Sequence, residues 1–271
     1  VNKKYSIGVM DSGVGGLTLV RELNRLCPGE DIVYFGDSAN CPYGNRSRDE
    51  ILDLSRQMIE FLKEKQVKAV AIACNTISAL VDELSEDQDL EIIDIVSPIA
   101  QMVARSGIEK VGVFATAFTV STRIYHRTIR KYNPNIEVYE KASPNLAALV
   151  DQGQYDQDSV REEIRKELGA LLSVQLLEHV ILGCTHYPIV KDSFESCFPH
   201  VAYLNPALAQ AETLIQYLQQ HDLLNSQEQG KLMIYTSGDT SKYEAVAKRL
   251  GLNSPAALNK ISLNKALGKI A

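Results

Sequence analysis

One short pattern occurs twice in this chain, and its repetition restricts the fold more than any other feature. Val70-Ala71-Ile72-Ala73-Cys74-Asn75-Thr76 and His179-Val180-Ile181-Leu182-Gly183-Cys184-Thr185-His186 each run from an apolar, strand-length segment into a cysteine. Small hydroxyl or amide residues follow in both, and then a helical pattern. Around these two points, short β-branched runs alternate with amphipathic helices, which is the grammar of an α/β protein with largely parallel sheets. The first half offers strands at 6–10, 31–35, 68–73 and 91–96, and the second at 110–114, 136–139, 179–182 and 201–204. Helical periodicity appears in Ile77, Leu80, Val81 and Leu84, and again in Val160, Ile164, Leu168, Leu171 and Leu172. Ser47 and Glu50 have capping-box spacing ahead of Ile51, Leu54, Met58 and Leu62.

The halves match in order. Their first strands end at Asp11-Ser12 and Ala115-Thr116, their third at the two cysteines, and their fourth at Ser97-Pro98 and Asn205-Pro206. This reads as a diverged internal duplication. The expected fold is α/β: two similar domains with mainly parallel sheets flanked by helices, pseudo-symmetric, with the active site in the cleft between them. A further strand at 231–235 has no counterpart in the second half and is expected to return to the first. The domains are therefore drawn as 1–97 plus 207–271, and 98–206.

Composition removes several function classes. A net charge of −6, with Lys and Arg interleaved among acids, gives no basic patch for a nucleic acid. No apolar run approaches membrane-spanning length, and the opening residues read as leading straight into a strand without a signal peptide. The expected location is cytoplasmic. Five cysteines, an odd number, do not form a disulfide framework, and no Cys-x-x-Cys or tight Cys/His cluster predicts a metal.

Ligands of open parallel sheets bind beyond the carboxyl ends of the strands. That rule gathers Asp11, Ser12, Asp37, Cys74, Asn75, Thr76, Thr116, Thr119, Cys184, Thr185 and His186 as candidates. The turn Asp11-Ser12-Gly13-Val14-Gly15-Gly16 lacks the third glycine of a dinucleotide fingerprint, since Thr18 stands there. It fits better as free backbone N–H groups at a helix start, suited to a carboxylate. Cys74 and Cys184 are each expected at a helix start, where thiol pKa values fall. Cys27, Cys41 and Cys197 read as small buried hydrophobes. His126, His179, His200 and His221 lack polar companions in sequence and read as structural or solvated, whereas His186 could pair with Cys184 as in a thiol hydrolase. That hydrolase reading leaves Cys74 without a task. Two thiols at equivalent strand tips suit instead an enzyme that removes a proton from one face of a carbon and returns one to the other. The loop Cys41-Pro42-Tyr43-Gly44-Asn45-Arg46 is a turn by composition, either a plain connector or a cover for the pocket.

Asp-Ser-Gly-Val-Gly-Gly-Leu at 11–17, Cys-Pro-Tyr-Gly at 41–44, Ala-Cys-Asn-Thr at 73–76 and Gly-Cys-Thr-His-Tyr-Pro at 183–188 together resemble the glutamate racemases of the aspartate/glutamate racemase family. The last motif separates them from related aspartate racemases, which typically carry Glu where this chain has His186. The resemblance implies a cofactor-independent enzyme with two catalytic thiols, Cys74 acting on the D-isomer and Cys184 on the L-isomer. Asp11 and His186 resemble their helpers, and Asp37 and Asp151 are possible assisting acids. Ser12, Tyr43, Gly44, Asn75, Thr76, Thr116 and Thr185 match positions that hold glutamate, with Thr119 beside them. It further implies D-glutamate for peptidoglycan and cell shape, and a homodimer. The chain departs from the family pattern at Ala115, along Ser143–Asp151, where Asp151 replaces Glu, and at Asn205. Those departures keep open a racemase of another acidic amino acid such as aspartate. A catalytically weak glutamate-binding paralogue is the reading from outside enzymes.

Overall fold

Ten strands, all parallel to their neighbours, form two separate sheets in the computed structural model, which describes residues 2–86 and 88–262. Residue 1 and residues 263–271, the extremes of the range drawn for the first domain, lie outside the described residues. The strands are β1 (Ser6–Asp11), β2 (Ile32–Gly36), β3 (Val67–Ile72), β4 (Ile92–Asp94), β5 (Lys110–Ala115), β6 (Glu137–Ala142), β7 (His179–Gly183), β8 (Ala202–Leu204), β9 (Leu232–Thr236) and β10 (Ala257–Lys260). Their order is β10-β9-β2-β1-β3-β4 in one sheet and β6-β5-β7-β8 in the other. Without β9 and β10, the first sheet has the same strand order as the second. The duplication read from sequence is thus a duplication of topology.

This order matters for the site. β1 lies beside β3 and β5 beside β7, so each cysteine-bearing strand tip adjoins the tip of its half's first strand. Every residue of β1, β2 and β3 is buried. Strands covered on both faces read as continuous apolar runs, which is why they were visible in sequence.

Several boundaries differ from expectation, each for an identifiable reason. β4 stops at Asp94 because Asp94 Oδ1 accepts from the N–H groups of Val96 and Ser97, at 2.7 and 2.8 Å, and starts the helix Val96–Arg105. Ser97-Pro98 therefore lies inside a helix, not at a strand tip. The helix expected after Cys74 is two short ones, Asn75–Ser78 and Val81–Ser85. Ser78 Oγ donates to Ile72 O and accepts from Ile95 N, holding the first turn against the ends of β3 and β4. Ile77, Leu80 and Leu84 are buried nonetheless. The capping box forms as read: Ser47 and Glu50 satisfy each other's N–H groups at the start of Arg48–Glu64. The edge strand β10 had no counterpart in the expected elements, and its Ala-Leu-Asn-Lys sequence carries little strand signal.

One buried amide fastens the returning segment to the first sheet. Gln210, in the helix Pro206–Gln220, donates through Nε2 to Ile72 O and Ile93 O, both at 2.9 Å. It satisfies two strand-end carbonyls that lie next to the Cys74 turn.

Candidate active site

The turn after β1 closes on its own acid. Asp11 is fully buried; Oδ2 accepts from Gly13 N and Gly16 N at 3.1 Å each, and Oδ1 from Thr185 Oγ1 at 3.2 Å. Two amide groups expected to be free for a ligand carboxylate are therefore occupied by a carboxylate of the protein. Burial raises the Asp11 pKa, against the opposing pull of His186 and these hydrogen bonds.

Cys74 caps the four-residue helix Asn75–Ser78, its Sγ 3.5 Å from Ser12 Oγ. The expectation of a lowered thiol pKa fails. Burial, reinforced by the Asp11 charge, pushes Cys74 up to about 12, and one helical turn does not offset that. Cys184, by contrast, is not at an α-helix start, because a turn and the 3₁₀ segment Tyr187–Val190 follow it. Its polar neighbour is His186, whose Nδ1 lies 3.8 Å from Cys184 Sγ. Burial disfavours the His186 cation, but Asp151, the Cys184 sulfur and Asp11 outweigh burial and hold its pKa at about 10. Asp151 Oδ1 lies 3.6 Å from His186 Nε2, an ion pair just beyond hydrogen-bond distance, and Oδ2 accepts from Lys242 Nζ at 2.7 Å. Against the effect of burial, His186 and Lys242 bring the Asp151 pKa down to about 2.

Cys74 and Cys184 line the same cavity. Ser12, Tyr43, Gly44, Asn75, Thr76, Thr116, Thr185 and His186 form most of its remaining wall. Cys41, Pro42 and Ala147 complete it. Cys41 thus faces the site and is not simply packed away, and its loop does cover the pocket. The cavity measures about 20 Å³, room for roughly one water. An amino acid enters only if the walls part. Larger hollows, of about 610 and 490 Å³, are lined by other residues and contain neither thiol.

Four candidate residues stand behind this wall. Asp11 reaches the wall through Thr185, and Asp151 through His186. Thr119 bonds Thr116 at 3.0 Å and Thr76 at 3.5 Å. Asp37 is occupied by Tyr43 OH at 2.6 Å, Asn40 Nδ2 and Ser237 Oγ, so it orients the Tyr43 loop. Tyr125, not foreseen from sequence, donates to Asn75 Oδ1 at 2.5 Å. That bond leaves Asn75 Nδ2 as a buried donor without a partner on the cavity wall. Lys242 was also missed, since it lies 91 residues from Asp151. Asn205 caps the helix Pro206–Gln220 through Ala207 N and is not on the wall.

Gly15 is required by close approach between the halves. A Cβ there would lie 2.4 Å from Thr185 Oγ1 and 2.7 Å from the Thr185 carbonyl carbon. Gly15→Ala must displace Thr185 and with it Cys184. Displacements near 1 Å cost about 10²-fold in rate; a steady-state assay giving a near-native rate would show that this contact does not position Cys184.

Comparison with known proteins supplies the chemistry class. A model of the Asp/Glu/hydantoin racemase family matches residues 7–214. The glutamate racemase of Thermoanaerobacter pseudethanolicus is 39% identical over 246 residues, covering 90% of this chain and 92% of that protein. The glutamate racemase of Francisella tularensis, solved in complex with D-glutamate, superposes with a TM-score of 0.88 at 34% identity, covering 97% of this chain and 99% of that one. That of Thermus thermophilus, in complex with β-chloro-D-alanine, gives 0.85 at 34% identity, covering 98% and 100%. A match this long, on a chain with the same two-domain α/β fold, makes this protein a member of the Asp/Glu/hydantoin racemase family and an amino-acid racemase.

Proposed function

We propose that this chain interconverts L- and D-glutamate without a cofactor, with Cys74 and Cys184 acting on opposite faces of the α-carbon. The observation that carries this reading is that both thiols, from equivalent strand tips of the two halves, line one cavity. The names of the relatives support glutamate as the substrate. Neither Asp151 nor Asn205, the departures that raised aspartate as an alternative, lines the cavity.

The α-hydrogen is a very weak acid, so one sulfur must be charged while the other carries a proton. Cys74 holds its proton, being buried beside Asp11. His186, cationic at neutral pH, stabilises negative charge on the Cys184 sulfur. The arrangement thus offers a proton at Cys74 and a cation beside Cys184, the thiol that by resemblance acts on L-glutamate. The unpartnered Asn75 Nδ2 donates to the substrate carboxylate, where charge develops as the proton leaves. Thr76, Thr116 and Thr185 supply hydroxyls around it. By the same resemblance, D-glutamate feeds peptidoglycan from the cytoplasm and the enzyme is a homodimer.

In heavy water, the purified protein should exchange the glutamate α-hydrogen while racemising it, without added pyridoxal phosphate. NMR with both isomers reads this. Binding without exchange would favour the silent glutamate-binding protein, and turnover of aspartate in place of glutamate would favour the other racemase.

The pH dependence follows from His186. Its folded pKa, about 10, lies above the ordinary 6.5, so its contribution to stability is fully present below pH 6.5 and is lost as pH rises through 10. Asp151 has the opposite sign: its folded pKa is about 2 against 3.8, and its contribution is present above 3.8 and lost as pH falls through 2. The alkaline limb of kcat/KM should therefore reflect loss of the His186 proton. Asp151→Asn removes the anion that favours the cation, so that limb should move to lower pH. An unmoved limb would assign it to another group.

A further inference from the structure

Three side chains from separate segments converge beside the cavity: Cys41 from the loop after β2, Asp151 from the end of the helix Leu146–Asp151, and His186 beyond β7. One ligand atom of each lies within 4.8 Å of the other two. Gly13 borders the gap between them. A Cβ at that position would stand 3.2 Å from Cys41 Sγ, 3.5 Å from Asp151 Oδ1 and 3.6 Å from His186 Cε1. His186 is only 3% exposed, and both its Nε2 and Asp151 Oδ1 are buried without a hydrogen-bond partner. The two face each other as an ion pair at 3.6 Å, forgoing the hydrogen bond that would offset their burial.

We propose that Cys41, Asp151 and His186 bind a zinc-type divalent cation, and that this ion inhibits the enzyme. A thiolate, an imidazole and a carboxylate form a donor set suited to zinc and its neighbours, whereas magnesium and calcium prefer oxygen alone. Tetrahedral bonds of about 2.0–2.3 Å place ligand atoms roughly 3.3–3.8 Å apart. His186 Nε2 and Asp151 Oδ1, at 3.6 Å, already have that spacing. Cys41 Sγ must close in by about 1 Å or less to reach it. Lys242, on Asp151 Oδ2, repels a dication, so the site favours ions that gain most from the thiolate. On binding, the Cys41 thiol and His186 Nε2 each release any proton they carry to solvent, and the metal takes both lone pairs. His186 then no longer supports charge on Cys184. That consequence rests on the proposed mechanism; the binding itself does not.

Cobalt(II) provides a readout separate from activity. Added to the full chain carrying Cys74→Ser and Cys184→Ser, it should bind once per chain with a sulfur-to-cobalt charge-transfer band. Adding Cys41→Ser or Cys41→Ala should abolish the band. No band in the starting protein, or a band that survives both Cys41 replacements, overturns the site. In the activity arm, equimolar zinc should slow the unsubstituted protein about tenfold or more, reversibly by chelation, and Cys41→Ser less than about twofold against its own metal-free rate. Equal zinc sensitivity would place inhibition on Cys74 and Cys184 and overturn the proposal.

Discussion

Alanine at either Cys74 or Cys184 is expected to lower racemisation by roughly 10²–10⁴-fold, the usual contribution of a positioned proton-transfer group. The loss should be similar for the two, because inversion needs a proton removed on one side and delivered on the other in the same cavity. A single thiol still allows removal and return on its own side, which gives exchange without inversion. In heavy water, then, each variant should keep some exchange for the isomer that faces its remaining sulfur. Mixing the two variants should not restore racemisation, since the cavity holds about 20 Å³ and both sulfurs must meet one substrate at once. A variant that racemises near the original rate would remove its cysteine from the chemistry.

Lys68→Ala should destabilise the fold by about 3–5 kcal/mol, because it strands a buried carboxylate. Lys68 and Glu30 are both nearly inaccessible, at 0% and 2% exposure, and are paired side chain to side chain. Lys68 Nζ also donates to Lys3 O at 3.0 Å and Leu223 O at 2.8 Å, and Glu30 Oε1 accepts from Asn225 N at 2.7 Å. The pair thus joins the start of the chain, the β1–β2 connection and the segment leading to β9. Thermal unfolding should shift down by about 10 °C. Replacing both partners with apolar residues, as in Lys68→Met with Glu30→Leu, should recover much of the loss, since two desolvated charges disappear together. If the double variant is no more stable than Lys68→Ala, the backbone carbonyls bound by Lys68 carry the effect.

The β3 run shows why the fold was legible. Val67, Ala69, Val70, Ala71 and Ile72 are apolar because both sheet faces are covered, and burial of that kind is written in consecutive residues. The Ser47–Glu50 cap is just as local. The Cys74 and Cys184 turns were readable for a related reason: a strand tip, a cysteine and small polar residues occupy adjacent positions in the chain. The elements misjudged were decided by side chains bonding to backbone, across the chain in one case and locally in the other. The helix after Cys74 is broken where Ser78 is drawn to Ile72 and Ile95, and β4 ends early where Asp94 turns back on its own backbone.

Alternation of strand and helix, the repeated cysteine turn and the resulting α/β class were determined by sequence alone, because hydrophobic periodicity and turn chemistry act between near neighbours. The tertiary structure decided the charge states and the remaining contacts. Cys74 is pushed to about 12 by burial and by Asp11, not lowered by its helix. His186 is raised to about 10 mainly because Asp151, 35 positions earlier in the chain, meets it. Asn75 owes its free donor to Tyr125, and Asp151 owes its second partner to Lys242. Desolvation and Coulomb interactions depend on distance in space, and separation along the chain does not reveal it.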